Sequence, residues 1–407
     1  MNILFVANRL PYPPFRGDKL KIYNLAKQLS NKHDLYLVTF IQDKKDYRYI
    51  KNLGKYFKEI EVVYLSKFQS VINCLINIFS SRPFQINYFR SSALEKLLYD
   101  FISKHNIDVI HTQHLRMSQY TYKINNIPTI LDLPDAYSLY WKRRSMLSGS
   151  YLKKKFGLLE HKRVLNYENI IKNFDLTLVC SEEDKLLLMN DHQYNDIKIL
   201  PNGIDLSVFN SGGHDYQINN RLIFTGNMEY FPNSDAAIYF SKEILPEILK
   251  KYPEVKFYIV GQNPPKKVME LQSDNIIITG FVKSMADEYR ASSIAVSPVR
   301  VGAGTLNKVL EPMAMGLPVV SSPIGFEGIG AMHGEEIILA KDKKEFVNSI
   351  INLLADQSFR QYIGEGGKNL VTRNFGWNAV SEKLEDYFYQ ICSKDKNFQR
   401  ESLQKAV

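Results

Sequence analysis

Short, continuous apolar runs alternate with stretches of helical period along nearly the whole chain, and they do so in two successive series. Ile3 to Ala7 is apolar without a break, Leu20, Tyr23 and Ala26 recur at helical spacing, and Leu35 to Phe40 is apolar again. Continuous rather than alternating runs belong to strands buried on both faces, as in a parallel sheet covered by crossover helices. Further strands are expected at Glu61 to Leu65, Val109 to His111, Thr129 to Leu131, Leu176 to Cys180 and Ile197 to Leu200. The second series runs Leu222 to Thr225, Val255 to Val260, Ile276 to Thr279, Ile294 to Ser297 and Val319 to Ser321, with helices at Ser234 to Lys250, Met285 to Ala291 and Leu306 to Met315. Two such series mean two doubly wound α/β sheets. A length of 407 residues supports two cores. A polar stretch from Asn210 to Asn220 reads as the linker, giving domains over 1–199 and 200–375, with a helix over about 376–392 crossing back to the first.

The net charge of +9 implies an anionic partner: nucleotide phosphate, an acidic membrane surface or nucleic acid. No nucleic-acid module or interleaved stacking aromatics accompany the charge, which argues against nucleic acid. Lys and Arg are densest between Lys142 and Lys172, a solvated helix face or a surface turned to membrane or acceptor. Phe68 to Phe89, with Val71, Leu75, Ile76 and Phe79, forms either core packing or an interfacial surface beside that basic helix. Cys74, Cys180 and Cys392 make no CxxC pair and leave an odd thiol, so a reducing, cytoplasmic setting is expected, peripheral to the inner face of the plasma membrane if the interfacial reading holds. The opening apolar run is too short for a signal peptide and reads as the first strand.

In an open parallel sheet, ligands meet the carboxyl ends of strands, where helix N-termini offer free N–H groups. The loop Arg300-Val301-Gly302-Ala303-Gly304-Thr305 has that position, with two glycines for close backbone approach and Thr305 as a cap or donor. Arg300 and Lys308 flank it as candidate partners of a diphosphate. Lys308 and Glu311, three residues apart, are either a surface ion pair or ligand contacts, and the strand-end position favours the latter.

Residues 297 to 321, Ser-Pro-Val-Arg-Val-Gly-Ala-Gly-Thr-Leu-Asn-Lys-Val-Leu-Glu-Pro-Met-Ala-Met-Gly-Leu-Pro-Val-Val-Ser, closely resemble the donor-binding segment of family 4 glycosyltransferases, above all bacterial sugar transferases of exopolysaccharide and lipopolysaccharide clusters. Leu200-Pro-Asn-Gly-Ile-Asp-Leu, Phe224-Thr-Gly-Asn-Met-Glu-Tyr-Phe-Pro-Asn-Ser-Asp-Ala, Tyr258-Ile-Val-Gly, Gly280-Phe-Val and Phe375-Gly-Trp also fit. The resemblance implies a GT-B fold, two Rossmann-like domains facing an interdomain cleft, and metal-independent, retaining transfer from a nucleotide-diphosphate sugar, with no cofactor. Glu311 matches the second Glu of the family's paired-Glu motif and would hold ribose hydroxyls. The first falls at Ala303, so backbone N–H groups of Gly302, Ala303, Gly304 and Thr305 would serve the donor sugar. Gly226 and Asn227 match the loop after the second domain's first strand, Asn227 standing where Arg is common.

On the acceptor side, Gly17 matches the family's flexible glycine loop, with an ordinary turn and cap as the alternative. Pro134 occupies the place of the family's His in Leu131-Asp132-Leu133-Pro134-Asp135, leaving Asp132 and Asp135 as candidate catalytic groups. His111 and His114, in Asp-Val-Ile-His-Thr-Gln-His, are cleft residues by position or structural histidines; two ligands alone do not make a zinc site. Glu182 to Asp184 is expected to open a helix with favourable charges. The expected activity moves a sugar to a glycan or lipid-linked acceptor in bacterial surface polysaccharide biosynthesis. The rivals are a nucleotide-sugar epimerase of the same fold and a non-catalytic nucleotide-sugar-binding scaffold. No Gly-x-Gly-x-x-Gly follows the first strand, which argues against a dinucleotide oxidoreductase.

Overall fold

The structure, a computed structural model, describes residues 1–14, 17–146, 150–209, 213–217, 220–301 and 307–405, from 394 onward as backbone alone. The chain divides into two compact units, Met1–Pro201 with Val380–Val407, and Asn202–Ala379. In the first unit, strands β1 (Asn2–Ala7), β2 (Asp34–Ile41), β3 (Glu59–Tyr64), β4 (Val109–Gln113), β5 (Thr129–Asp132), β6 (Leu176–Val179) and β7 (Ile197–Ile199) form one parallel sheet, ordered β3-β2-β1-β4-β5-β6-β7. Every residue from Ile3 to Ala7 is fully buried, as a run apolar on both faces requires.

Helices α1 (Gly17–Leu29), α2 (Lys67–Ile76), α3 (Phe84–Tyr88), α4 (Ser92–Lys104), α5 (Tyr137–Met146), α6 (Tyr151–Glu168) and α7 (Glu182–His192) supply the crossovers. Leu94, Leu98 and Phe101 of α4 pack on Leu4, Val38 and Ile110, while Val164 of α6 and Leu188 of α7 meet Leu131 and Val179. The run Glu182 to Asp184 opens α7 behind an N-cap, Ser181, whose hydroxyl accepts from the Asp184 N–H at 3.0 Å; its three carboxylates sit where the helix dipole favours them.

The second unit repeats the plan. Strands β8 (Arg221–Thr225), β9 (Lys256–Val260), β10 (Ile276–Gly280), β11 (Ile294–Ser297), β12 (Val319–Ser321) and β13 (Ile338–Leu339) are parallel in the order β10-β9-β8-β11-β12-β13. The sequence pattern misses β13, whose two residues are too few to show a period. Helix α8 (Phe231–Tyr239) starts three residues before the expected Ser234, because Pro232 lies in the first turn, where no N–H is needed. It runs on through one π turn (Phe240–Ile244) to Leu249. Pro246 cannot donate to the Lys242 carbonyl, and the ladder widens there, Leu245 N–H reaching Phe240 O. Helices α9 (Met285–Arg290), α10 (Asn307–Ala314), α11 (Lys343–Ala355) and α12 (Gln357–Asn374) complete the unit, and α13 (Trp377–Lys405) ends the chain.

The stretch that reads as a linker lies inside the second unit. Where the chain enters and leaves that unit, its two ends lock together: Ile204 N–H donates to Phe375 O at 2.6 Å, and Gly203 lies flat under the Trp377 indole, where a Cβ would come within 2.4 Å of the ring. Both sheets change direction between the first and fourth strands, β1 beside β4 and β8 beside β11, which is where doubly wound sheets open a crevice at their carboxyl ends.

Candidate active site

At the second unit's switch point, β8 ends in Thr225-Gly226-Asn227 and β11 leads through Arg300 toward α10. The Gly226 to Asn227 turn is built by close approach: a Cβ on Gly261 would sit 1.8 Å from Gly226 O, and one on Gly226 would meet the Asn233 amide at 2.5 Å. Gly261 holds φ +146°, so a side chain there is strained as well as crowded. Asn233 Nδ2 donates across Gly226 to Asn227 O at 2.9 Å, and its Oδ1 accepts from Lys308 Nζ. Lys308 is thereby aimed at the strand ends by a residue of α8.

Glu311, one turn further along α10, has a separate support. Its Oε2 accepts from Tyr289 OH at 3.0 Å, and Tyr289, fully buried, shares a 2.7 Å hydrogen bond with Thr225 Oγ1. Burial pushes the Glu311 carboxyl up to about 7, against the opposing pull of Tyr289 and Lys308, and pushes the Lys308 ammonium down to about 8, against Glu311. Each group titrates near neutrality because desolvation outweighs their mutual attraction. Pro312 follows Glu311 inside the helix and cannot donate to the Lys308 carbonyl, which is released from the ladder beside the site.

Arg300 is already engaged. Its Nε and Nη2 donate to Asp235 at 3.0 and 2.7 Å, and its guanidinium lies 4.4 Å from the Tyr239 ring centroid. The bidentate pair uses two of five donors and leaves the side chain 40% exposed, so an anion can still be met on its free edge. Gly302, Ala303, Gly304 and Thr305 lie outside the described residues.

In the first unit, Asp132 and His111 form a closed knot. Asp132 Oδ1 accepts from Lys21 Nζ at 2.7 Å, its Oδ2 lies 3.3 Å from His111 Nε2, and Lys21 also donates to Leu200 O at 3.2 Å. Burial alone would raise the Asp132 carboxyl, but Lys21 and His111 hold it below the usual range. His111 and Asp132 are both 0% exposed. Asp132 and His111, both expected as catalytic groups, are thus buried and, with Lys21, link α1 to β4, β5 and Leu200 after β7.

Asp135 and His114 stand differently. His114 takes a left-handed backbone, φ +79°, at the end of β4, a strained state for a non-glycine residue. Burial, Arg116 and Arg9 hold it far below its usual pKa, so it is neutral. Arg116 Nη2 lies 2.6 Å from His114 Nε2; because a guanidinium only donates, Nε2 is the acceptor and Nδ1 carries the hydrogen. That Nδ1 has no partner among the described residues. Burial and the nearby Asp184 raise Asp135 to about 7, with Arg116 opposing. Nearby, Arg9 pairs with Asp18 at 2.7 Å, and the buried Asn8 amide at the end of β1 is unpartnered among the described residues. Gly17 opens α1 with nothing within 4 Å of an added Cβ, so no local crowding demands glycine there. Among the described residues, no group of three His, Cys, Asp or Glu side chains is placed to hold a metal ion.

Each unit therefore carries cations and a carboxyl titrating near neutrality by its strand ends. Residues 22–208 match the family model described as Glycosyltransferase Family 4, and residues 219–356 the model described as Glycosyl transferases group 1. The chain belongs to the glycosyltransferases. This glycosyltransferase is 24% identical over 411 residues to a 44.6 kDa protein of the cps region of Klebsiella pneumoniae, covering 94% of this chain and 98% of that one. It is 21% identical over 249 residues to the capsular polysaccharide biosynthesis glycosyltransferase CapM of Staphylococcus aureus, covering 58% and 64%. Among solved structures, sucrose-phosphate synthase from Thermosynechococcus elongatus superposes with a TM-score of 0.73 at 15% identity, covering 97% of this chain and all of that one. Anabaena HepE in complex with UDP and glucose gives 0.68 at 14%, covering 95% and 99%. The fold is GT-B.

Residues that sequence reading passed over complete the site. Thr225, Asn233 and Asp235 stand inside the motif Phe224 to Ala236, Thr225 as a polar group ending β8 and the other two in the first turns of α8. Tyr289, Arg116 and Lys21 lie on segments with no motif, and only folding brings them to Glu311, His114 and Asp132.

Proposed function

We propose that this glycosyltransferase binds a nucleotide-diphosphate sugar at the switch point of its second unit and transfers the sugar, with retention, to a glycan or lipid-linked acceptor in bacterial surface polysaccharide biosynthesis. The observation that carries the reading is the pair Lys308 and Glu311, each positioned by its own buried support at the β8 and β11 ends. In this reading Glu311 accepts from ribose hydroxyls, while Lys308, aided by the free edge of Arg300, meets the diphosphate as negative charge grows on it. The bond from the anomeric carbon to the diphosphate oxygen breaks, the acceptor oxygen bonds to that carbon on the same face, and a donor phosphate oxygen takes the acceptor proton. No enzymic nucleophile or metal ion enters this route. Within the first unit, His114 Nδ1–H and Asp135 are the groups this reading offers to an acceptor. The cps-region relative and CapM support the polysaccharide setting, and HepE with UDP makes uridine diphosphate sugars the first donors to try.

A thermal-shift panel of nucleotide-diphosphate sugars tests the donor reading, since a ligand that binds only the native state raises its stability with concentration. One member of the panel is expected to stabilise the wild type, and Glu311→Gln and Lys308→Ala are each expected to weaken that donor about tenfold or more. Unchanged affinity in both variants would remove the assignment.

A further inference from the structure

Two neighbouring stretches of the first unit push apolar side chains into solvent. On α2 and the turn after it, Phe68 and Ile76 are each 76% exposed and Phe79 is 98% exposed; on α6, Leu152 is 77% exposed. Leu152, Phe156 and Leu159 recur at i, i+4 and i+7, one stripe along α6. The stretches are fastened together: Phe84 stacks on Phe156 at 5.5 Å, its N–H donates to Glu160 at 3.0 Å, and Arg163 donates to Ile78 O at 2.7 Å. The charge on them has one sign at the surface. Between residues 67 and 83 there is no carboxylate, and between 137 and 168 the two acids, Glu160 and Glu168, are 1% and 0% exposed, while Lys153, Lys154 and Lys155 stand in solvent.

The geometry points to a docking surface for an anionic lipid bilayer, with Phe79 and Leu152 entering the headgroup boundary and the α6 lysines meeting lipid phosphates. A protein partner fits less well, since interface centres are depleted in lysine. A second copy would bring like charges face to face. Lipid accepts both features, because apolar tips insert while long lysine stems keep their ammonium groups at the charged surface. No helix among the described residues is long and apolar enough to cross a membrane, so the contact is interfacial. This proposal deepens the lipid-linked acceptor reading but stands apart from donor binding.

Sedimentation of the full chain with vesicles tests it. Equimolar phosphatidylglycerol and phosphatidylcholine are expected to bind the protein at about 0.02 M salt, and pure phosphatidylcholine, or about 0.3 M salt, to weaken binding at least tenfold. The double variant Phe79→Ser/Leu152→Ser and the triple variant Lys153→Gln/Lys154→Gln/Lys155→Gln should each lose at least tenfold, with the donor-induced thermal shift of the wild type intact as proof of folding. Wild-type protein that ignores anionic vesicles at low salt overturns the proposal. So does a double variant that binds them undiminished, or one that instead loses a dimer by light scattering.

Discussion

Lys308 and Glu311 stand three residues apart in the sequence, and an ordinary surface ion pair would leave both far from titrating at neutral pH. Burial instead brings them to about 8 and about 7. Lys308 sits below its ordinary 10.5, so it carries its charge only below about pH 8 in the empty site. Donor affinity is expected to peak between about pH 7, where Glu311 ionises, and about pH 8, and to fall by up to about tenfold per unit above that. Lys308→Arg should lose the alkaline fall and Lys308→Met bind weakly throughout; a wild-type affinity that does not fall between pH 8 and pH 10 would refute this. Asp135 follows the opposite rule. Its folded value of about 7 exceeds the ordinary 3.8, so its neutral form favours folding, an advantage present below 3.8 and lost as pH rises through 7. Asp135→Asn should therefore match the wild type at pH 4 and exceed it by about 4 kcal/mol at pH 8, read by urea melts. Equal stability at both pH values would show that Asp135 ionises freely. None of these shifts is visible in the sequence, because each depends on how much water the fold removes.

Among the elements, strands were the more legible. A strand covered on both faces has to be apolar along its length, so β1, β8 and β11 announce themselves, whereas two-residue β13 has no pattern to read. Helix ends followed their caps, Ser181 before α7 and Asp342 before α11. The motifs at 200–206 and 375–377 resembled the family without a visible reason; the structure supplies one, since Gly203 and Trp377 close the second unit where the chain enters and leaves it. Gly203→Ala is expected to clash with the indole and destabilise that unit by about 2 kcal/mol, seen as faster hydrogen exchange at Ile204 and along the start of α13. Exchange like the wild type's would mean the contact yields without cost.

Across the whole molecule, the two proposed functions fall in different units and should leave separable footprints. Adding the stabilising donor sugar should protect β8 and α10 from exchange while leaving α2 and the start of α6 unprotected; anionic vesicles should do the reverse. Protection of α6 by donor alone, without lipid, would argue that its exposed face is not a membrane surface. The sequence by itself determined the two doubly wound sheets and most of the candidate positions at their carboxyl ends, because burial on two faces and turn chemistry act on consecutive residues. Tertiary structure decided what surrounds each of those positions. It sealed Asp132 and His111 behind Lys21, committed part of Arg300 to Asp235, and stood Glu311 on Tyr289, since pairing and desolvation arise between residues that only the fold makes neighbours.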